Sequence, residues 1–556
     1  MSIFGSLEIG ARGLGASQLA LNVLGQNVSN ANTEGYSRKR LELSADSRTD
    51  PSFGEMGFGV NVDKVARISD NFLELQIRRE LTEQGFFISL DKGLERIENI
   101  LTEPSDAGLN EAMDKFWASW QDLANNPEDP AAREVVRSTA LVMEDKFHTL
   151  SRQFDELQMA QEADIEGKVE MINGMAEEIF NINEEIASME ISGGMANDGR
   201  DRRDYLMQEL SKLIDVDTFE DEQGRLNVVT AGNVLVGAAT VIKLELEKST
   251  TTDESGELVQ IGTIKFENTD KIYTPRGGEL KGAFEMRDEI IPKFENFLDE
   301  LASTFVESVN NLHSTGYNLE GNTGVDFFTQ TNQTAESISL SASIRASEHN
   351  IAAATGGTSV GPINLASTIP APTNQVIDLK TIDPNYRDIV QGSLQINMGS
   401  SELREGPGND YVVDYGLGTV TFLNYNRYAG GEAIDVNFRY NSSGFSGPGD
   451  GSNALGIAQL RDQFTMGQDI NGNPIKTMGE FYSSSIGVLG IERNQAKSNV
   501  ETRGFLVNQF MNRKQEISGV SLDEELGDMI KFEHSYQASA RFISTINKLL
   551  DTLLNM

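Results

Sequence analysis

Cysteine is absent from this 556-residue chain. That excludes a disulfide framework, a thiolate metal site and a cysteine nucleophile. Histidine is scarce. The four are His148, His313, His349 and His534, and no two have metal-ligand spacing on one helix. A zinc site would have to rest on carboxylates. No apolar run is long enough to span a bilayer. No secretory signal is visible either: the first basic residue is Arg12, and glycines break the apolar residues before it. Export by a route that reads no cleaved signal stays open. Positive charge is short as well, with 46 Lys+Arg against 85 Asp+Glu and a formal net charge of −39. A nucleic-acid partner is therefore not expected, since phosphate neutralisation needs clustered cations. Neither a Walker loop nor a G-x-S-x-G elbow occurs.

The acidity is unevenly placed. Residues 1–50 carry five basic and five acidic groups, and residues 511–556 carry five and seven, so both ends are near neutral. Both ends are also periodic. Leu7, Leu14, Leu21 and Val28 recur every seven residues. At the far end Leu522, Met529, Tyr536, Ile543 and Leu550 do the same, with Phe532, Ile546 and Leu553 filling the other seam position. Either stripe alone fits an ordinary amphipathic helix on a globular core. Two near-neutral heptad stripes at opposite ends of one chain favour pairing with each other. Gly5, Gly10, Gly13, Gly15 and Gly25 weaken the first helix, by about 1 kcal/mol per interior glycine relative to alanine. The ends are therefore expected to be disordered in the free chain and to order on burial of their stripes. A charge at Ile543 is accordingly expected to leave the melting of the free chain unchanged.

Between the ends the pattern alternates between helix and strand. Pro104 breaks one helix, and "NPEDPAAREVV" starts another, with Asp129 as cap and Pro130 in the first turn. Ile165, Val169, Ile172, Ala176, Ile179, Asn183 and Ile186 step by four and three, a further coiled-coil stripe. From Val216 the residues turn β-branched and alternating. The division this predicts runs as follows: 1–50, terminal helix and Asn-rich loop; 51–215, helical body; 216–285, β-rich domain; 286–330, helical body; 331–450, inserted β-rich outer domain; 451–514, helical body; 515–556, terminal helix. The fold class is α+β and multidomain, with terminal coiled-coil helices and a long helical-bundle body enclosing antiparallel β insertions.

Candidate chemistry is thin. Asp469, Asn471, Asn473 and Glu480 occupy calcium-loop positions one, three, five and twelve, but the sixth, which needs glycine, is Pro474. An Asn-Gly turn is expected there instead. The acidic triplet 523–525 begins the last helix, where the dipole accounts for it. No group presents itself as acid, base or nucleophile. The residues argue for binding and assembly, without cofactor or metal.

The segment "NVSNANTEGYSRKRLEL", with Asn27, Asn30, Asn32, Gly35 and Tyr36, resembles the N-terminal signature of bacterial flagellar rod, hook and hook-associated proteins. "SGVSLDEELGDMIKFEHSYQASARFISTINKLLDTLLNM", with Ser518, Gly519, Leu522, Asp523, Glu524 and Glu525, resembles the C-terminus of the hook-associated proteins, in the branch that joins hook to filament. The resemblance extends to "LANNPEDPAAREVV", "DRRDYLMQELSKLIDV", "GYNLEGNTGVDFF" and "NALGIAQL", and to nothing in 361–445. It implies a structural role rather than an enzyme: self-association in a helical ring through the terminal helices. The implied partners are the hook protein, a second junction protein (hook-associated protein 3), a cytoplasmic chaperone on the C-terminal region and the flagellar type III export apparatus. The implied location is a flagellum, external or periplasmic. A hook or distal rod protein is the alternative within this class; a secreted hydrolase and a surface adhesin are the rivals outside it. In this reading Gly35 permits the turn after the first helix, and the asparagines satisfy the loop's backbone.

Overall fold

A computed structural model describes residues 3–50, 54–101, 108–191, 193–252, 258–330, 333–364, 376–383, 386, 389, 393–398, 401–406, 410–415, 418–423, 434–445, 447–469 and 472–554. Along the chain run α1 (Ile3–Ser29), β1 (Lys39–Asp50), β2 (Gly54–Arg67), α2 (Asn71–Leu101), α3 (Leu109–Asn125), α4 (Pro130–Ile191) and α5 (Asn197–Leu213). Then come β3 (Asp217–Glu220), β4 (Leu226–Thr230), β5 (Asn233–Val236), β6 (Leu244–Thr252), β7 (Leu258–Phe266), α6 (Gly278–Glu285), a π-turn (Met286–Ile290) and α7 (Ile291–His313). β8 (Gly316–Tyr317) and α8 (Ala342–Ala346) precede β9 (Ala354–Asn364), β10 (Val376–Asp378), β11 (Gln395–Met398), β12 (Ser401–Glu402), β13 (Tyr411–Asp414), β14 (Thr419–Phe422) and β15 (Ile434–Phe445). The last elements are α9 (Ser452–Gln459), β16 (Met466–Gln468), β17 (Pro474–Lys476), α10 (Met478–Ser518) and α11 (Leu522–Leu554). The architecture is α+β, and the pairings named below are antiparallel.

The elements form two compact units. One comprises Met1–Gly93, Gln161–Met286 and Asn494–Met556, the other Leu94–Ala160 and Arg287–Arg493. The chain changes unit inside α2, α4 and α10 and at the π-turn.

In the first unit, the α4 stripe from Ile165 to Ile186 is buried throughout. Its partners differ from the expected coiled coil. It packs on α5 and α6 and on β4–β7, through Leu206, Leu210, Val228, Leu235, Leu244 and Ile264 among others. Two asparagines of α4, Asn183 on the stripe and Asn173 beside it, supply the reason. Asn183 donates from Nδ2 to the Leu226 carbonyl (2.8 Å) and accepts the Leu226 N–H (3.0 Å). Asn173 grips Leu244 in the same two-way fashion, both bonds at 2.8 Å. Each amide thus captures one strand entering a sheet, where a second helix would offer no free backbone groups. A second difference concerns 39–67. β1 and β2 form a long antiparallel hairpin with register shifts at Glu42/Leu43 and Ala45/Ser47. The sequence pattern instead predicts a loop there and a helical body from 51.

In the second unit, α3 buries Met113, Phe116, Trp117, Trp120 and Leu123 at helical spacing. Phe116 lies 5.1 Å from Phe305 of α7, and Trp120 lies 5.3 Å from Phe327. Asp129 caps α4 by accepting the Ala131 N–H (2.9 Å). β9, β11 and β15 belong to a five-stranded sheet in the order β12-β11-β15-β9-β8. Leu394, Ile396, Tyr411, Phe422, Val436 and Phe438 build a separate core there. The calcium-like positions split into two local motifs. Asp469 accepts the Asn473 N–H (2.9 Å) in the β16–β17 hairpin, where Gly472 has φ +82°. Glu480 and Thr477 exchange bonds with each other's backbone N–H (3.0 and 3.1 Å), a capping box that starts α10. Pro104 and Asn471 lie outside the described residues.

His313 ends α7 with its ring fully buried. Nε2 accepts the Ala352 N–H (2.9 Å), so Nδ1 carries the proton and donates to the Val325 carbonyl (2.7 Å). Burial pushes its pKa down from 6.5 to about 4. The unfolded chain therefore takes up this proton near pH 6.5, and the folded chain only near 4. The histidine's contribution is fully present above pH 6.5 and is lost as pH falls toward 4, with a full span of about 3 kcal/mol. In urea unfolding, the stability gap between the native chain and His313→Leu should narrow as pH drops from 7 to 4.5. A gap constant across that range would contradict this.

Candidate assembly interface

The two ends of the chain meet. α1 and α11 pack against one another within the first unit, and α1 also lies on the β1–β2 hairpin. Three ties define their register. A Cβ built on Gly10 would stand 2.8 Å from Ile543 Cγ1, and one on Gly13 would stand 3.0 Å from Ser539 Oγ. At the other end of the pair, Asn27 donates from Nδ2 to Glu525 Oε2 (2.8 Å). As α1 numbers rise, α11 numbers fall in step, so the helices are antiparallel. Carrying this register along aligns Ser17, Ala20 and Leu24 with Tyr536, Phe532 and Met529.

The α11 side is the stripe read from the sequence. Met529, Phe532, Tyr536, Ile543, Ile546 and Leu550 are half-buried, as is Ser539 among them. The Leu553 side chain lies outside the described residues. The α1 side is different. Its buried positions are Gly10, Ala16, Ser17, Ala20, Val23, Leu24 and Asn27, while Leu7, Leu14, Leu21 and Val28 are only half-buried. Small residues face α11 because they let the two backbones approach. The glycines that weaken α1 as a lone helix are thus its points of closest packing. This corrects two expectations. The stripes have partners inside the free chain, so disordered ends do not follow. Ile543 packs on Gly10, so a charge there would disturb the free chain as well.

The Asn-rich turn closes onto the first turn of α11. Asn27 is fully buried, and so is Glu525. Besides Glu525, Asn27 Nδ2 donates to the Lys39 carbonyl (2.9 Å), and its Oδ1 accepts from the Lys39 N–H (3.0 Å) and from the Tyr36 hydroxyl (2.9 Å). Burial pushes the Tyr36 phenol up to about 12, with Asp198, Asp201 and Glu525 adding to the shift, so it remains a donor. Arg38 clasps α11: Nε lies 2.6 Å from Glu525 Oε1, and Nη1 lies 2.7 Å from Glu524 Oε2. The Arg38 N–H donates to the Ser518 carbonyl (2.7 Å). Gly519 is required at this bend, because a Cβ there would meet the Gln515 carbonyl oxygen at 2.3 Å. Gly35 turns the loop with φ +78°.

The same loop is tied to the α5 helix. The Ser37 N–H donates to Asp201 (3.1 Å), and Lys39 pairs with Asp198. Arg67 of β2 bridges Asp201 (3.2 Å) and Asp204 (2.5 Å). Burial raises the Asp201 pKa in spite of Ser37 and Arg67. Asn30 caps back to the Gln26 carbonyl (2.9 Å), while Asn32 and Asp523 are exposed. Glu525 is more than a dipole complement: its charge is the buried end of the Arg38 clasp. Sequence reading did not single out Arg38 and Lys39, although both lie within the segment 27–43, and it took Gly10 and Gly13 only as residues that weaken the helix.

Around the seam, α11 leaves large apolar side chains in solvent: Leu522 (49%), Leu526 (49%), Ile530 (57%), Phe542 (43%) and Leu549 (53%). Elsewhere, the described residues include no cluster of three or more His, Asp or Glu that could hold a metal, and no described helix is long and apolar enough to cross a membrane. A cleft of about 290 Å3 in the second unit is lined by Asp114, Arg461 and Glu480. Three of its charges are already engaged, Arg461 with Asp114 at 3.0 Å and Glu480 in its capping box.

The two ends that close into this helical pair are also the ones that resemble known flagellar proteins. Family descriptions agree at both ends: "Flagella basal body rod protein" matches residues 7–36, and "Flagellar basal body rod FlgEFG protein C-terminal" matches 511–556. "Flagellar hook-associated protein FlgK helical domain" matches 94–328. Flagellar hook-associated protein 1 of Bacillus subtilis is 26% identical over 593 residues, covering 100% of this chain and 98% of that one. Its Salmonella typhimurium counterpart is 28% identical over 563 residues, 98% of each. The solved structure of the flagellar hook junction protein FlgK from Burkholderia pseudomallei shares the fold, with a TM-score of 0.57 at 17% identity over 80% of this chain and 100% of that one. The chain is thus similar over its full length to flagellar hook-associated protein 1.

The glycine faces yield a paired test. Gly13→Leu should weaken the α1–α11 packing by about 1–3 kcal/mol through overpacking. Gly15→Ala, where nothing lies within 4 Å, should strengthen it by about 0.5–1 kcal/mol. Hydrogen exchange of the α11 amides reads both. Equal effects at the two positions would contradict the seam described.

Proposed function

We propose that this protein is a structural component of the bacterial flagellum that builds the junction between hook and filament by helical self-assembly through α1 and α11. The observation that carries the reading is the terminal pair itself: both chain ends form one antiparallel unit, with apolar side chains exposed on the flanks of α11. Exposed apolar flanks on a closed helical pair suit repeated head-to-tail contacts, which generate helical arrays when they do not close. The relatives' names support the junction. The rod-type descriptions at both ends leave a hook or distal rod protein as the alternative, and the match over 94–328 favours the hook-associated branch.

In this reading segments 1–50 and 515–556 form the inner part of the assembly, and 331–450 an outer part that tolerates variation. The immediate neighbours are further copies of the chain, the hook protein and hook-associated protein 3. Passage to the site is through the flagellar type III export apparatus, with a chaperone on the C-terminal region before export. The protein has no catalytic role; it acts by bearing contacts.

Ile530 lies on the exposed flank of α11 and Glu533 is also exposed. Ile530→Asp costs the free chain little, because the side chain is already in water. In an array the same carboxylate meets an apolar neighbour in every subunit, where its burial is strongly unfavourable. Cells lacking the native protein and supplied with Ile530→Asp should export filament subunits without attaching filaments, while Glu533→Gln should support normal filaments. Normal swimming with Ile530→Asp would contradict the proposal.

A further inference from the structure

The α1 face of the terminal pair is almost featureless. Gly10, Gly13, Ser17 and Ala20 offer no knobs that would distinguish one alignment of α11 from the next. The α11 face repeats by threes and fours, from Met529 through Phe532, Tyr536, Ser539, Ile543 and Ile546 to Leu550. A slip of one turn keeps apolar residues in the seam. A slip of one heptad keeps the whole pattern. Apolar packing therefore brings these helices together without fixing how far each is pushed along the other.

One position on each helix breaks this degeneracy. Asn27 and Glu525 both lie in the seam, both are fully buried, and they bond to each other. We propose that this pair, backed by Arg38, is the register key of the terminal helices. A slip in either direction strips the Glu525 carboxylate of Asn27 and Arg38 while it stays out of water. The penalty for an orphaned buried charge is far larger than any change in the apolar contacts. A buried polar residue at a seam position is an effective register device in helical pairs for this reason.

The key is itself held in place. Asn27 is fixed by four bonds, one to Glu525, one from Tyr36 and two to the Lys39 backbone. The loop bearing Tyr36, Arg38 and Lys39 is pinned to α5 through Asp198 and Asp201. The register of α11 is thereby referred to the folded unit and not to α1 alone. Asn27 and Glu525 are positioning residues. They place the exposed row Leu522, Leu526 and Ile530 at one height, and that height matters only if these flanks build the array, so the cellular consequence rests on the function proposed above.

The absence of cysteine makes the test direct. An ideal Cβ on Gly13 lies 3.9 Å from the Ser539 Cβ, inside the range a disulfide spans. In the full-length chain, Gly13→Cys with Ser539→Cys traps the native register, and Gly13→Cys with Ser535→Cys traps a slip of one turn. With Asn27 and Glu525 intact, the first pair should oxidise at least tenfold faster than the second. In the Asn27→Leu, Glu525→Leu background the two rates should converge to within about threefold, with helical content by circular dichroism retained. Glu525→Gln should restore most of the preference, because its amide oxygen still accepts from Asn27. A tenfold preference that survives the double leucine change would overturn the proposal. If the rates converge but cells carrying the leucine variant still hold their filaments, the key stands and the reading of these helices as the joint falls.

Discussion

A single buried hydrogen bond, from Asn27 to Glu525, joins residues 498 positions apart in sequence. Closing that distance costs chain entropy that no local contact repays. It is met by a cluster in which almost every polar group is shared: Asn27 with Lys39 and Tyr36, Arg38 with Ser518, Glu524 and Glu525, Ser37 with Asp201. Glycine makes the closure possible, since the Gly519 bend and the Gly35 turn admit no side chain or favour none. Without the cluster, apolar packing still brings α1 and α11 together but leaves their alignment unfixed. With it, the chain has one end built from both of its termini.

The rest of the first unit uses the same device at smaller scale. Asn183 on the buried stripe of α4 and half-buried Asn173 beside it each hold both backbone groups of a strand residue. A long helix and a set of short strands have no common hydrogen-bonding geometry, and an amide on the helix supplies it. Burying such a group would cost free energy if it were left unpaired, and both are paired. The sheets can then be short, because they are anchored at their entry points.

How much of this the sequence discloses depends on what each contact is made of. The α11 seam is legible because it consists of large apolar residues at regular spacing. The facing seam on α1 is not, because its closest contacts are glycines, and a periodicity search follows Leu7, Leu14 and Leu21 to the half-buried edge of the helix. The β1–β2 hairpin carries its own signal, since Leu41, Leu43 and Ala45 alternate and so do Met56, Phe58, Val60 and Val62, but the charges of β1 and the glycines of β2 make it read as loop. Glu525 reads as one of three acids at a helix start. Its burial is a tertiary fact, created by Arg38 and Asn27 arriving from the other end. The motif residues themselves were legible through their resemblance to a known family; that they form one site was not.

The central claim is that the two ends of a single free chain are locked side by side, before any assembly. The direct measurement is a pulsed-dipolar electron paramagnetic resonance distance between nitroxides placed on exposed Asn22 of α1 and exposed Lys531 of α11, in dilute, demonstrably monomeric protein. The account predicts one narrow distribution at the separation of two packed helices, unchanged on dilution. A broad distribution, or one that sharpens only when the chains assemble, would show that the ends are free until they find another copy.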